Sequence, residues 1–337
     1  MNNFKKVGLT ALAGSLAAVS ANAAEMTVSG ATVLTYTTEH GTEVTGNPLG
    51  MKTNIGFTAS GDVNGMTVSY MQTSMDKFAG MSSARLSVDM GDLGVLALDQ
   101  GSGSGLGTID DKTPTAAEEI WDGLDGAGAS ATSVGGLVGA AGNTGVVNYI
   151  KSFAGVTFNG AMRTGSGTKN SDGASSGAGG SAWDFALTGS GDMLGVDGLS
   201  WGAGYGVEEV DANGNTSADF DDNKHYTGFI NYSMGPMTVG YQESQIDNGG
   251  KGSTDETTQQ WGIAFAVNDD LSVSYGEREV EYSKPVADDV TEQGEGIAIA
   301  YTMGSMKIAG NTNEVSNNGG TAGTSDEMTE IALSFAF

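Results

Sequence analysis

The chain has 337 residues, a net charge of −27 and no cysteine. It therefore lacks the Lys and Arg surplus that grips nucleic-acid phosphates, and no disulfide framework supports it despite signs of export. Fifty-five glycines against four prolines, with no three-residue period, exclude collagen-like and proline-rich chains, so stability has to come from closed backbone hydrogen bonding.

At the N-terminus, Lys5 and Lys6 precede an apolar run over 7–19 that ends in Ala21-Asn22-Ala23. This is the pattern of a secretory signal with a small-x-small cleavage site. The run falls short of the roughly 20 residues that a spanning helix needs. Removal of residues 1–23 is expected, leaving 24–337 as a single domain.

Period-two alternation bounded by Gly, Asn, Asp or Pro predicts sixteen strands. They fall near 26–37, 51–60, 66–75, 80–90, 94–100, 145–153, 155–165, 181–190, 199–209, 223–233, 236–246, 256–267, 271–283, 292–303, 305–314 and 326–337. Their connections alternate in length. Short ones such as Gly91-Asp92-Leu93-Gly94, Gly235-Pro236 and Gly304-Ser305 separate long polar ones at 166–180, 210–222, 247–255, 284–291 and 315–325. An even strand number with short turns at one end and long loops at the other is the rhythm of a bacterial outer-membrane barrel, the short turns facing the periplasm.

The alternation also sorts two faces. Ile331, Leu333, Phe335 and Phe337 oppose Glu330, Ala332, Ser334 and Ala336, and Trp261, Ile263 and Phe265 oppose Gln260, Gly262 and Ala264. One face suits lipid and the other water. Backbone polar groups cannot stay unpaired in hydrocarbon, so such strands must close on themselves. The expected fold is all-β, a transmembrane antiparallel barrel. Tyr241, Trp261, Tyr275 and Tyr301 suit the aromatic girdle at its rim.

The connection from Asp99 to Gly145 exceeds forty residues, far beyond the roughly 12–15 at which a loop signals function or disorder. Within it Thr115-Ala116-Ala117-Glu118 forms a capping box that predicts a short helix through Trp121, ended by Gly123. The loop carries the acids Asp110, Asp111, Glu118, Glu119, Asp122 and Asp125. Sixteen strands enclose an aqueous lumen that segment 101–144, folded inward, would narrow. Charges held there choose ions by sign. Strand parity turns the bases Lys52, Arg85, Arg163, Arg278 and Lys307 to the lumen side.

Other motifs carry less. Gly173-Ala174-Ser175-Ser176-Gly177 matches the hydrolase nucleophile pattern but sits in a Gly/Ser loop without the strand-turn-helix elbow. His225 beside Asp221 and Asp222 reads as a solvated rim histidine rather than a catalytic base, and no enzyme is expected. Asp211, Asn213, Asn215 and Asp219 have the oxygen-rich spacing of a calcium loop, yet glycine stands at its fourth position rather than the sixth. An ordinary acidic loop is the default there, with calcium the one candidate cofactor. The glycines at 202, 204 and 206 make room for a neighbouring backbone or for the lumen.

Over its whole length the chain resembles the trimeric general porins of Gram-negative bacteria, especially those of alphaproteobacteria. The likeness rests on the Ala-Asn-Ala leader, the Gly-Asp-Leu-Gly turn at 91–94 before the strand leading into the long loop, the Thr-Pro-Thr-Ala-Ala-Glu-Glu segment at 113–119, and the terminal Phe337. It implies a third external loop folded into the pore as an eyelet facing basic wall residues. It also implies a homotrimer set in outer-membrane lipid and lipopolysaccharide. Ile331, Leu333, Phe335 and Phe337 match the C-terminal signal that the barrel-assembly machinery reads in that family. The Pro-Glu-Phe-Gly-Gly stretch of enterobacterial eyelet loops is absent. The function expected is passive diffusion of small hydrophilic solutes and ions with weak cation selectivity. The rival readings are a substrate-specific channel of the same fold and a plugged adhesin or phage-attachment barrel.

Overall fold

A computed structural model describes residues 25–40, 44–74, 81–124, 144–165, 180–209, 221–250, 253–285 and 287–337. Among them sixteen antiparallel strands follow in order. The first eight are β1 (Glu25–Glu39), β2 (Leu49–Val63), β3 (Met66–Ser74), β4 (Met81–Asp89), β5 (Val95–Gln100), β6 (Thr144–Phe153), β7 (Val156–Arg163) and β8 (Ala182–Ser190). The second eight are β9 (Leu199–Glu208), β10 (Asn223–Met234), β11 (Met237–Asp247), β12 (Asp255–Ala266), β13 (Leu271–Ser283), β14 (Val290–Met303), β15 (Met306–Ser316) and β16 (Ser325–Ala336).

Each strand pairs with its chain neighbours, and β1 pairs with β16 to close the barrel. At the seam the Gly30 amide donates to the Phe337 carbonyl at 2.7 Å and the Phe337 amide to the Gly30 carbonyl at 2.9 Å. No sheet edge is left over, as hydrocarbon requires. β5, with six residues, is held by pairing with β4 on one side and β6 on the other. The β2–β3 hairpin turns on Asn64 (φ 55°) and Gly65 (φ 79°), the paired left-handed residues of a two-residue turn that suits twisted strands.

The two faces follow strand parity. Along β13, Gly276, Arg278, Val280 and Tyr282 are buried while Glu277, Glu279 and Glu281 are exposed. The outer wall carries large exposed apolar side chains such as Ile297, Ile299 and Ile331. Toward the long-loop end, Tyr241 stands opposite Trp261, and Trp261 packs edge-on against Tyr275 with ring centroids 5.6 Å apart. Just beyond them Glu277, Glu295, Glu314 and Glu327 lie in register across β13 to β16, marking the upper limit of the apolar band. Among the described residues no helix is long and apolar enough to cross a membrane; the strands make the crossing.

Candidate functional site

The long connection begins where β5 ends, and its root is a buried polar network. Asp99, fully buried, accepts from Ser104 Oγ at 2.9 Å and from Ser102. Arg85 donates to the Gly103 carbonyl at 3.2 Å and to Asn148. The Gly105 and Leu106 amides donate to Asn159 Oδ1 (3.0 Å) and Asp184 Oδ1 (2.9 Å), both on the inner wall. These bonds turn the chain into the lumen and satisfy backbone groups that would otherwise be buried unpaired.

From there the loop follows the inner wall. A 3-10 turn, Gly105–Ile109, seats Leu106 and Ile109 against Ala186 and Phe229. Gly204 leaves the space that Leu106 fills, so the room made by that glycine serves the loop. Gln242 donates to the carbonyls of Ile109 (2.8 Å) and Asp110 (3.0 Å) and accepts from the Lys112 amide (2.7 Å). Asn231 donates to the Lys112 carbonyl at 2.7 Å.

The next seat is a row of glycines. Gly240, Gly262, Gly276 and Gly296 are direct cross-strand partners from β11 to β14, all turned inward. A Cβ at Gly262 would stand 2.7 Å from the Pro114 carbonyl oxygen, one at Gly276 3.2 Å from Ile120 Cγ2, and one at Gly296 2.9 Å from Ile120 Cβ. The missing side chains form a groove in the wall that receives the loop at Pro114 and Ile120. Ser274 accepts from the Ala116 amide at 2.8 Å between them. Asn313 then donates to the carbonyls of Glu119 (3.1 Å) and Asp122 (2.8 Å), and Met328 of β16 meets Gly123.

The helix expected over 115–121 is not formed. Thr115 Oγ1 donates to the Glu118 carbonyl at 2.6 Å instead of capping the Glu118 amide, and 119–124 makes turns in which the Asp122 amide reaches the Glu119 carbonyl and the Leu124 amide the Trp121 carbonyl. Ser274 and Asn313 supply the partners that a helix would have found within itself. Wall bonding overrides a weak local preference.

The loop acids divide by surroundings. Asp111 has its carboxyl pushed up to about 6 by burial and by repulsion from Glu119, against hydrogen bonds from Thr113 that lower it. Asp122 is likewise raised to about 6 by burial and by Glu118, Glu330 and Glu119, with Lys52 opposing. Burial also raises Asp110. The carboxylates of Glu118, Glu119 and Asp122 lie within 4.8 Å of one another. Asp125 lies outside the described residues, as do the calcium candidates Asp211, Asn213, Asn215 and Asp219 and the leader at 1–23.

The bases divide too. Lys52 is exposed and close enough to Asp122 to act on its charge. Arg85 has a guanidinium nitrogen 3.9 Å from Asp99 while it holds the loop root. Arg163 pairs with Glu208 at 2.5 Å near the long-loop end. Arg278, 3% exposed, is covered by the loop and pairs with Glu292 at 3.0 Å. Lys307 lies beside the short β14–β15 turn. His225 is a correction: it is buried on the inner face of β10 at 8% exposure, not solvated at a rim, because its parity matches that of Thr227. The wall anchors Asp184, Gln242, Ser274 and Asn313 were not anticipated. The available signal was polar, mostly uncharged residues at inward parity, close to inward glycines.

Comparison with known proteins agrees with this architecture. The Gram-negative porin family model matches residues 8–321, and the chain belongs to that family. Its fold is similar to the anion-selective porin from Comamonas acidovorans, with a TM-score of 0.63 and 14% identity over 94% of this chain and 100% of that one. It is also similar to a tryptophan-substituted variant of the Rh. blastica porin (TM-score 0.59, 15% identity, 93% and 100% covered) and to outer-membrane expressed OmpT of Vibrio cholerae (0.61, 12%, 93% and 97%). No curated protein matches the chain significantly. It is an integral outer-membrane barrel with a channel function and not an enzyme.

Proposed function

We propose that the barrel passes small hydrophilic solutes and ions down their gradients, with segment 101–144 setting the bore and its acids giving weak cation selectivity. The observation that carries this is the course of the described part of the loop, 101–124: from β7 to β16 it is bound to the inner wall, and Lys52 and Arg85 stand on the β1–β4 side. Arg163 and Arg278 are neutralised by Glu208 and Glu292, so carboxylates outweigh free bases at the narrowing. The Comamonas relative is described as anion-selective. The charge balance here favours the opposite sign.

The test is the reversal potential of the reconstituted protein under a KCl gradient. A cation preference is expected, and an anion preference overturns it. Saturable block by one solute class would favour the substrate-specific rival, and a barrel without conductance the plugged one. In the same reading the mature chain starts at Ala24, forms a homotrimer in lipid and lipopolysaccharide, and is recognised by the barrel-assembly machinery through Ile331, Leu333, Phe335 and Phe337. Mass spectrometry of the mature protein and cross-linking in native membranes test the first two, and the assembly yield of a Phe337→Ser variant the third.

A further inference from the structure

Arg278 does more than line a wall. Its Nη2 is 3.0 Å from Glu292 Oε1, and its guanidinium carbon is 5.4 Å from the centre of the Trp121 ring, on the pore loop. Such a stack is worth most where water is excluded, as it is here. Glu292, 1% exposed, uses its other oxygen to accept from the Gly319 amide at 2.7 Å and from the Tyr282 hydroxyl at 3.3 Å. Gly319 belongs to the external connection between β15 and β16, a segment also held by Lys284, whose ammonium donates to the Gly320 carbonyl at 2.5 Å. One buried ion pair therefore has the pore loop on its cationic side and an external loop on its anionic side.

We infer that Arg278 is a positioning residue that couples the external segment 317–324 to the pore loop, so that the placement of Glu118, Glu119 and Asp122 across the aperture depends on the external segment. The reason is geometric. The turn at 119–122 that holds Trp121 also carries two of those acids, with Glu118 next to it, and Asn313 anchors only its backbone. A movement of Gly319 shifts its acceptor Glu292, with it Arg278, and with that the surface on which the Trp121 ring rests. A buried ion pair contributes little net stability, yet it defines one geometry sharply because any departure leaves a charge unpaired.

The chain has no cysteine, which makes the external segment addressable. Thr321 is exposed, and Thr321→Cys can be labelled from outside with a bulky maleimide. Labelling is expected to change the closing frequency of single channels by on the order of fivefold, the lower end of usual coupling between sites. The change should vanish when Thr321→Cys is combined with Arg278→Gln and Glu292→Gln, a pair of changes that leaves no unpaired buried charge. Arg278→Lys, which keeps the ion pair but lacks the planar group facing Trp121, should retain only part of it. Equal effects of the label in the intact and charge-neutral backgrounds, or no effect in either, overturn the coupling. The inference rests on the channel reading but not on the sign of selectivity. A wild-type channel without cation preference would overturn the proposed selectivity and still leave the closing frequencies to decide this one.

Discussion

Gly262→Ala tests the seating of the pore loop directly. All three atoms nearest to the added Cβ belong to Pro114: its carbonyl oxygen at 2.7 Å, its nitrogen at 3.4 Å and its Cδ at 3.5 Å. Ordinary contact lies near 3.5–4.0 Å, so Pro114 must retreat by roughly 1 Å. Overpacking of this kind costs about 1–3 kcal/mol. Against it stand three hydrogen bonds that hold this stretch, from the Lys112 amide to Gln242, from Asn231 to the Lys112 carbonyl and from the Ala116 amide to Ser274, each contributing about 0.5–1.5 kcal/mol. The two sums are similar, so alanine should push the loop toward the lumen without freeing it. Gly262→Val should free it. Single-channel recording in planar bilayers should show a lower conductance for the alanine variant and a noisy, multi-level current for the valine variant. Gly310→Ala is the control, since it faces outward with its nearest neighbour 3.6 Å away. Wild-type conductance and noise in a correctly folded Gly262→Val barrel would refute the seating of Pro114 against β12.

Three further outcomes follow from the same geometry. Lys52→Gln should strengthen the cation preference and Asp122→Asn should weaken it, each shifting the KCl reversal potential in its own direction. Because Asp111 and Asp122 have carboxyls raised to about 6, they lose charge as the pH falls through that value. Cation preference should fall over the same interval and do so less in an Asp111→Asn, Asp122→Asn variant, as reversal potentials between pH 7.5 and 5 would show. The folded state holds these protons more tightly than the unfolded chain does, so acidification through this interval relieves repulsion and should not weaken loop seating. On the outer wall, Glu314 lies directly opposite Glu295 and Glu327. Like charges opposed across strands are unfavourable, so Glu314→Gln should stabilise the barrel by about 0.2–1 kcal/mol, read as a higher melting temperature in low-salt detergent that converges with wild type in high salt.

Period-two alternation and the rhythm of short and long connections come from local chemistry, so the sixteen strands, their inner and outer faces and the closed barrel are legible residue by residue. The final strand shows why. Ile331, Leu333 and Phe335 can be satisfied only outward once Ala332 and Ser334 face inward, and a shift of one residue would reverse both sets. The loop is a different problem. Its acids are visible in the sequence, but its conformation depends on partners more than a hundred residues away, such as Gln242 for Lys112 and Asn313 for Glu119. A capping box at 115–118 could not compete with them. The row of four inward glycines exists only once register aligns Gly240, Gly262, Gly276 and Gly296, which no single segment encodes. The five basic residues look alike in sequence. Tertiary structure separated them: Arg278 is paired with Glu292 and becomes a structural element, whereas Lys52, which has no ion pair among the described residues, is the one expected to act on the pore.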